Sequence, residues 1–162
     1  GRPPAGGSFA PTRIPMKITN HIIDLATKAT LEFIDITDDV LSAIKKSGIA
    51  NGIVNIQSLH TTMAIIVNEA EPLLIGDMKK MLERVAPEKI EYDHDNFDIR
   101  TVNMCDGECQ NGHSHCKALL LSPSQMLNIV NEKLQFGRWQ RVFALELDRA
   151  RPRQVALQII GE

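Results

Sequence analysis

The chain has 162 residues, 43% of them hydrophobic, and a formal net charge of -2. That length suits one domain with a real core, and the charge balance does not point to a polyanion as the main partner, because no basic run is present to neutralise nucleic-acid phosphates or an anionic membrane. No apolar stretch reaches the length of a membrane span, no apolar signal region is visible, and three cysteines cannot complete a disulfide framework. The expectation is a cytoplasmic, reducing setting without nucleic-acid or membrane partners.

Gly1 to Pro15 carry four of the eight prolines and no periodicity, so residues 1–15 are read as a disordered linker or tag, with Met16 as a natural start and 16–162 as a single domain. Ile18, Ile22, Ile23 and Leu25 predict a first strand. Thr37-Asp38-Asp39 opens a helix that Gly48 ends, with Val40, Leu41 and Ile44 on its apolar face. Ile49 to Leu59 reads as a strand, and Ala64 to Val67 as its continuation or partner. A second helix begins at Glu71-Pro72, carries Leu74, Met78, Met81, Leu82 and Val85 at helical spacing, and stops at Pro87. Residues 88–112 have no convincing period, which in a compact domain points to a functional or mobile loop. Lys117 to Leu121 is predicted as a strand. Met126 to Val130 and Lys133 to Phe136 form a hairpin around Asn131-Glu132, and Trp139 to Asp148 and Gln154 to Ile160 are two further strands. Short turns between the last strands imply antiparallel pairing. The class is α+β: mostly antiparallel strands, seven or eight of them, with two main helices on one side.

The densest chemical candidate is His113-Ser114-His115. In a strand, residues i and i+2 share a face, so both imidazoles would reach one ion; the alternative is two hydrogen-bonded histidines at a loop exit. His60 emerges at a strand end beside Thr61 and Thr62, whose hydroxyls suit an anion or simply favour β structure. His94 lies between Asp93 and Asp95, which would orient its ring or act as solvated loop charges. Cys105, Cys109, His113 and His115 would also satisfy a tetrahedral zinc by composition, although not at the familiar spacing. Glu146 is an acid within an apolar strand, on the face of Val142 and Ala144; it reads as a general base, an orienting group, a partner of Arg151 or Arg153, or a solvated residue. Arg151, Arg153 and Lys117 are cations suited to phosphate oxygens. Trp139 reads as an anchor for a core or a subunit contact.

These residues carry a resemblance. Leu59-His60-Thr61-Thr62, Asn68-Glu69, Asp77, Tyr92-Asp93-His94-Asp95, His115-Cys116-Lys117-Ala118, and above all Leu134-Gln135-Phe136-Gly137-Arg138-Trp139-Gln140, followed by Glu146 and the arginine-rich turn, resemble the YjbQ-like family of secondary thiamine-phosphate synthases in order and spacing. The resemblance implies a YjbQ-like α+β sandwich and a homotrimer with pockets near subunit contacts. It also implies a divalent metal, zinc foremost given imidazole donors, at His60, His94 and His115. Glu146 and Arg153 match acidic and basic pocket positions. The implied activity joins a pyrimidine pyrophosphate to a thiazole phosphate. On that reading Glu146, Lys117 and Arg153 are catalytic, and Thr61, Thr62 and Arg151 bind a small phosphorylated substrate. The alternatives are a metal-dependent phosphoester hydrolase with Glu146 as base, and a non-enzymatic metal- or ligand-binding trimer. The segment 96–110, with Cys105 and Cys109, departs from the family pattern.

Overall fold

The computed structural model describes residues 15–162, so the linker expected over 1–15 lies, but for Pro15, outside the described residues. Among the described residues, eight strands form two antiparallel sheets. The larger holds β1 (Lys17–Ala26), β8 (Pro152–Gly161), β3 (Gly52–Ser58), β5 (Ser124–Val130) and β6 (Lys133–Leu134), in that spatial order. The smaller holds β2 (Glu32–Asp35), β7 (Gln140–Glu146) and β4 (Met63–Glu69), in that order.

The period-2 pattern of β8 explains the packing. Arg153, Val155, Leu157 and Ile159 are buried while Gln154 and Gln158 are exposed, as a strand with one inward face requires. Val155, Leu157 and Ile159 meet Ile65, Val142 and Ala144 of the smaller sheet and Ile36, Val40 and Ile44 in one core. The smaller sheet's other face is closed by a second cluster of Ala64, Leu82, Leu145 and Leu147, with Ala118 and Leu121 packed against it. Strand β7 is therefore buried on both faces, which is why its sequence from Val142 to Leu145 is continuously apolar instead of alternating.

Among the described residues, three α-helices attach to this sandwich: α1 (Thr37–Ser47), α2 (Pro72–Val85) and α3 (Gly112–Leu120). The first two sit where their sequence signals place them. Gly48 ends α1 in the left-handed region at φ 64°, a conformation glycine adopts without steric cost. Glu71 caps α2 by accepting from the Leu73 and Leu74 amides.

Three expectations change. The strand expected over Lys117 to Leu121 is instead the last turn of α3, with Leu121 just past its end. A short apolar run does not distinguish a strand from a buried helix turn, and this helix is capped from afar: the Asp95 Oδ1 accepts from the Asn111 and Gly112 amides, both at 2.8 Å. Gly112 is needed there because a Cβ would lie 2.6 Å from the Tyr92 Cβ. Strand β2 was not anticipated; it is four residues long and gains its register from β7. Trp139 is exposed, with the Arg138 guanidinium 4.7 Å from its ring centre, which sets aside its reading as a core anchor but not as a subunit contact. Among the described residues, no helix is long and apolar enough to cross a membrane.

Candidate functional site

One cleft of about 480 Å³ gathers most of the residues singled out from the sequence: His60, Thr61, Thr62, His94, His115, Arg151 and Arg153 all line it. The turn after β3 supplies His60 to Thr62, the loop with its 3₁₀ turn at Asp93–Asp95 supplies His94, α3 supplies His115, and the start of β8 supplies the arginines.

The floor is built on charge. Arg153 and Glu146 occupy inward positions of facing sheets and are almost wholly excluded from solvent. The Arg153 Nε donates to Glu146 Oε2 at 2.6 Å and its other arm reaches the Thr62 hydroxyl at 2.9 Å. Glu146 also accepts from the Thr27 hydroxyl and the Asp148 amide, each at 2.9 Å. Burial alone pushes the Glu146 carboxyl up, but the hydrogen bonds from Arg153 and the Asp148 amide outweigh it and hold the group below its ordinary value. Glu146 is the buried partner of Arg153. With its oxygens committed and no solvent exposure, it is not placed to act as a general base.

The wall is built of imidazoles. The His94 and His115 rings stand edge to face with centres 4.7 Å apart. Burial, and then the neighbouring His94, push the His115 pKa below its ordinary value, which keeps the ring neutral and its lone pair available near pH 7. His60 lines the same cleft, but its Nε2 accepts the Gln154 amide at 2.8 Å. Burial and then Arg153 lower its pKa too. Two of the three expected metal ligands are thus adjacent, while the third has its lone pair occupied. Among the described residues no three His, Cys, Asp or Glu side chains gather into a ready-made ion cage. The donor chemistry fits a divalent cation at the His94–His115 pair, with remaining positions left to water or substrate oxygens.

Two expected partners fall elsewhere. Because α3 is a helix, His113 and His115 point to different sides. His113 is buried, and its Nδ1 accepts from the Lys117 Nζ at 3.1 Å. Lys117, 1% exposed, also pairs with Glu83 of α2 at 3.0 Å. The pairing of His113 with His115 on one ion, and the role of Lys117 on phosphate, both rested on strand geometry that the helix removes. The tetrahedral set of Cys105, Cys109, His113 and His115 fails for the same reason. The Cys109 Sγ instead faces Asp148 and Arg151, each at 4.0 Å.

The cleft also uses residues that sequence reasoning missed. Arg100 lines it and ties the loop together through the Asn103 carbonyl at 2.8 Å and Glu108 at 3.3 Å. Its only signal is that it is one of two cations, with Lys89, in an acidic loop. Asn111 lines it as well and accepts from the His94 ring; in the sequence it is one polar residue of the aperiodic loop.

Residues 21–162 match the family model described as UPF0047 protein YjbQ-like. The chain belongs to the YjbQ-like family. A UPF0047 protein of Methanothermobacter thermautotrophicus is 35% identical over 147 residues, covering 91% of this chain and 95% of that protein. Among solved structures, a YbjQ-like protein of Sulfolobus solfataricus superposes with a TM-score of 0.82 at 32% identity, covering 91% of this chain and all of that one. A YjbQ/UPF0047 family protein of Clostridium acetobutylicum does so with a TM-score of 0.75 at 34% identity, covering 86% and 98%. The mostly antiparallel α+β architecture expected of a YjbQ-like protein is the one observed.

Proposed function

We propose that the chain is a secondary thiamine-phosphate synthase, joining a pyrimidine pyrophosphate to a thiazole phosphate in the cleft between His115 and Arg153. The observation that carries this reading is the convergence of Arg100, Arg151 and Arg153 with neutral imidazoles and two threonine hydroxyls in one cleft. In the reaction, the thiazole nitrogen forms a bond to the pyrimidine's methylene carbon as the carbon–oxygen bond breaks, and pyrophosphate departs with the electron pair. The attacked carbon needs no base, so the sealed state of Glu146 is no obstacle. The demand falls on neutralising the leaving group. Arg151 and Arg153 offer planar donors matched to phosphate oxygens, Thr61 offers a hydroxyl, and Thr62 and Glu146 hold Arg153 in place. A divalent ion, zinc by the preference of imidazole donors, would be held by His94 and His115 and would supply further charge neutralisation.

The homotrimer implied by the resemblance belongs to the same proposal. Apolar side chains at Leu119 and Leu120 of α3 and at Met81 and Val85 of α2 are exposed, a surface that subunit packing would cover. Light scattering should give the mass of three chains.

The test is formation of thiamine phosphate from the two precursors with zinc supplied. Wild-type protein should form product, and His115→Ala should lose about 100-fold in rate while keeping its assembly and thermal stability. Absence of product from wild-type protein contradicts the proposal. Release of inorganic phosphate from phosphoesters in its place would identify a hydrolase, and metal binding with neither activity would identify a binding protein.

A further inference from the structure

Asn111 occupies the position before α3, where an asparagine side chain ordinarily accepts a hydrogen bond from the helix's first free amides. Here it makes no such cap. Asp95 takes that role, its Oδ1 accepting the Asn111 and Gly112 amides. The Asn111 side chain, on a residue 6% exposed, is turned instead between Asp148 and His94. Its Nδ2 lies 3.2 Å from Asp148 Oδ2, and its Oδ1 lies 3.2 Å from His94 Nε2.

The chemistry of these three groups sets the direction of both hydrogen bonds. Asp148 is buried beside Arg151, and an ionised carboxylate only accepts, so the Asn111 amide must direct its NH₂ there. The carbonyl oxygen then faces His94, and because a carbonyl also only accepts, the His94 Nε2 must carry the hydrogen. In a neutral imidazole the other nitrogen, Nδ1, is left with the lone pair.

We propose that Asn111 is a positioning residue that fixes His94 as its Nε2–H tautomer and so presents Nδ1 to a divalent cation. The inference rests on the reading of His94 as a ligand, and it extends the site outward through Asp148 to Arg151. A histidine ligand whose second nitrogen is held by an acceptor keeps both its tautomer and its ring orientation.

The test uses long-range proton–nitrogen NMR spectra of the metal-free protein, which report the protonated nitrogen of each imidazole, together with calorimetric titration of Zn²⁺. In wild-type protein His94 should carry its proton on Nε2. Asn111→Leu, similar in size but without an acceptor, should show both tautomers of His94 and bind Zn²⁺ about 10- to 100-fold more weakly, with a cooperative thermal transition that is lowered by loss of the donor to Asp148 while the Asp95 cap remains. An Nδ1–H tautomer in wild-type protein overturns the proposal even if the variant does not fold. So does an Asn111→Leu protein with unchanged tautomer and unchanged zinc affinity. Failure of the synthase assay alone would overturn the activity but leave this tautomer in place, so the two failures are distinguishable.

Discussion

Arg153 and Lys117 are both cations buried to within a few per cent of complete exclusion, yet their surroundings differ. Arg153 meets a carboxylate that is itself wholly buried, within a network that includes Thr27, Thr62 and a backbone amide. Lys117 meets Glu83, whose side chain is 43% exposed, and a neutral histidine. The first pair sits where the strand register of two sheets places it and borders the cleft. The second ties α3 to α2 on the side away from the cleft. A buried charge is therefore no guide to function by itself; what matters is whether its unused hydrogen-bonding edge borders a space that a ligand can enter.

The contrast yields graded expectations. Removing one member of a closed buried pair strands the other, at a cost of about 3–5 kcal/mol. Glu146→Gln should lower the melting temperature by on the order of 10 °C, measured by calorimetry. The same variant tests pH dependence. The folded Glu146 pKa lies below the ordinary value of 4.5, so its contribution is fully present above that value and disappears as pH falls through the lower folded value. Wild-type protein should lose stability on acidification in that window, and Glu146→Gln should lose less. A parallel decline in both would remove the special status of the Arg153 pair.

A middle effect belongs to the loop that caps α3. Asp95→Ala deletes the acceptor of two amides, at a cost of about 1 kcal/mol, read as a shift of the urea midpoint. Because the cap also orders the segment carrying His94, zinc affinity should fall with it. The smallest effect is expected at Lys117. Lys117→Met replaces a buried charge by an apolar chain of similar length and leaves Glu83 partly solvated, a change that is often close to neutral in stability. Its activity should match wild type. A large loss of activity on Lys117→Met would return this lysine to the substrate and break the contrast.

Much of the fold was legible because its signals are local. Gly48, Glu71-Pro72 and the left-handed pair Asn131-Glu132, at φ 52° and 62°, mark their elements within a few residues. Arg153 reads from the sequence as part of a basic turn, so its burial was not legible, although its pairing with Glu146 was one of the alternatives the sequence left open. What was not legible depends on distant partners. Helix α3 takes its cap from Asp95, and β2 takes its register from β7. The error at α3 propagated directly into the site, since two residues span about 200° on a helix and a full repeat on a strand. It separated His113 from His115 and took Lys117 out of the cleft. His60, His94 and His115 were brought together as a set by the family resemblance, whereas Asn111 and Arg100 act through contacts that no short motif encodes.

The central claim is that the His115 face of α3, with His94, Arg151 and Arg153, forms one ligand site. Its most direct test is a crystal structure with zinc and inorganic pyrophosphate, using anomalous scattering to locate the metal. Zinc should be bound by His94 and His115, and pyrophosphate oxygens should lie on Arg151 and Arg153. Zinc bound instead by Cys105 and Cys109, or pyrophosphate settled away from those arginines, would contradict the claim.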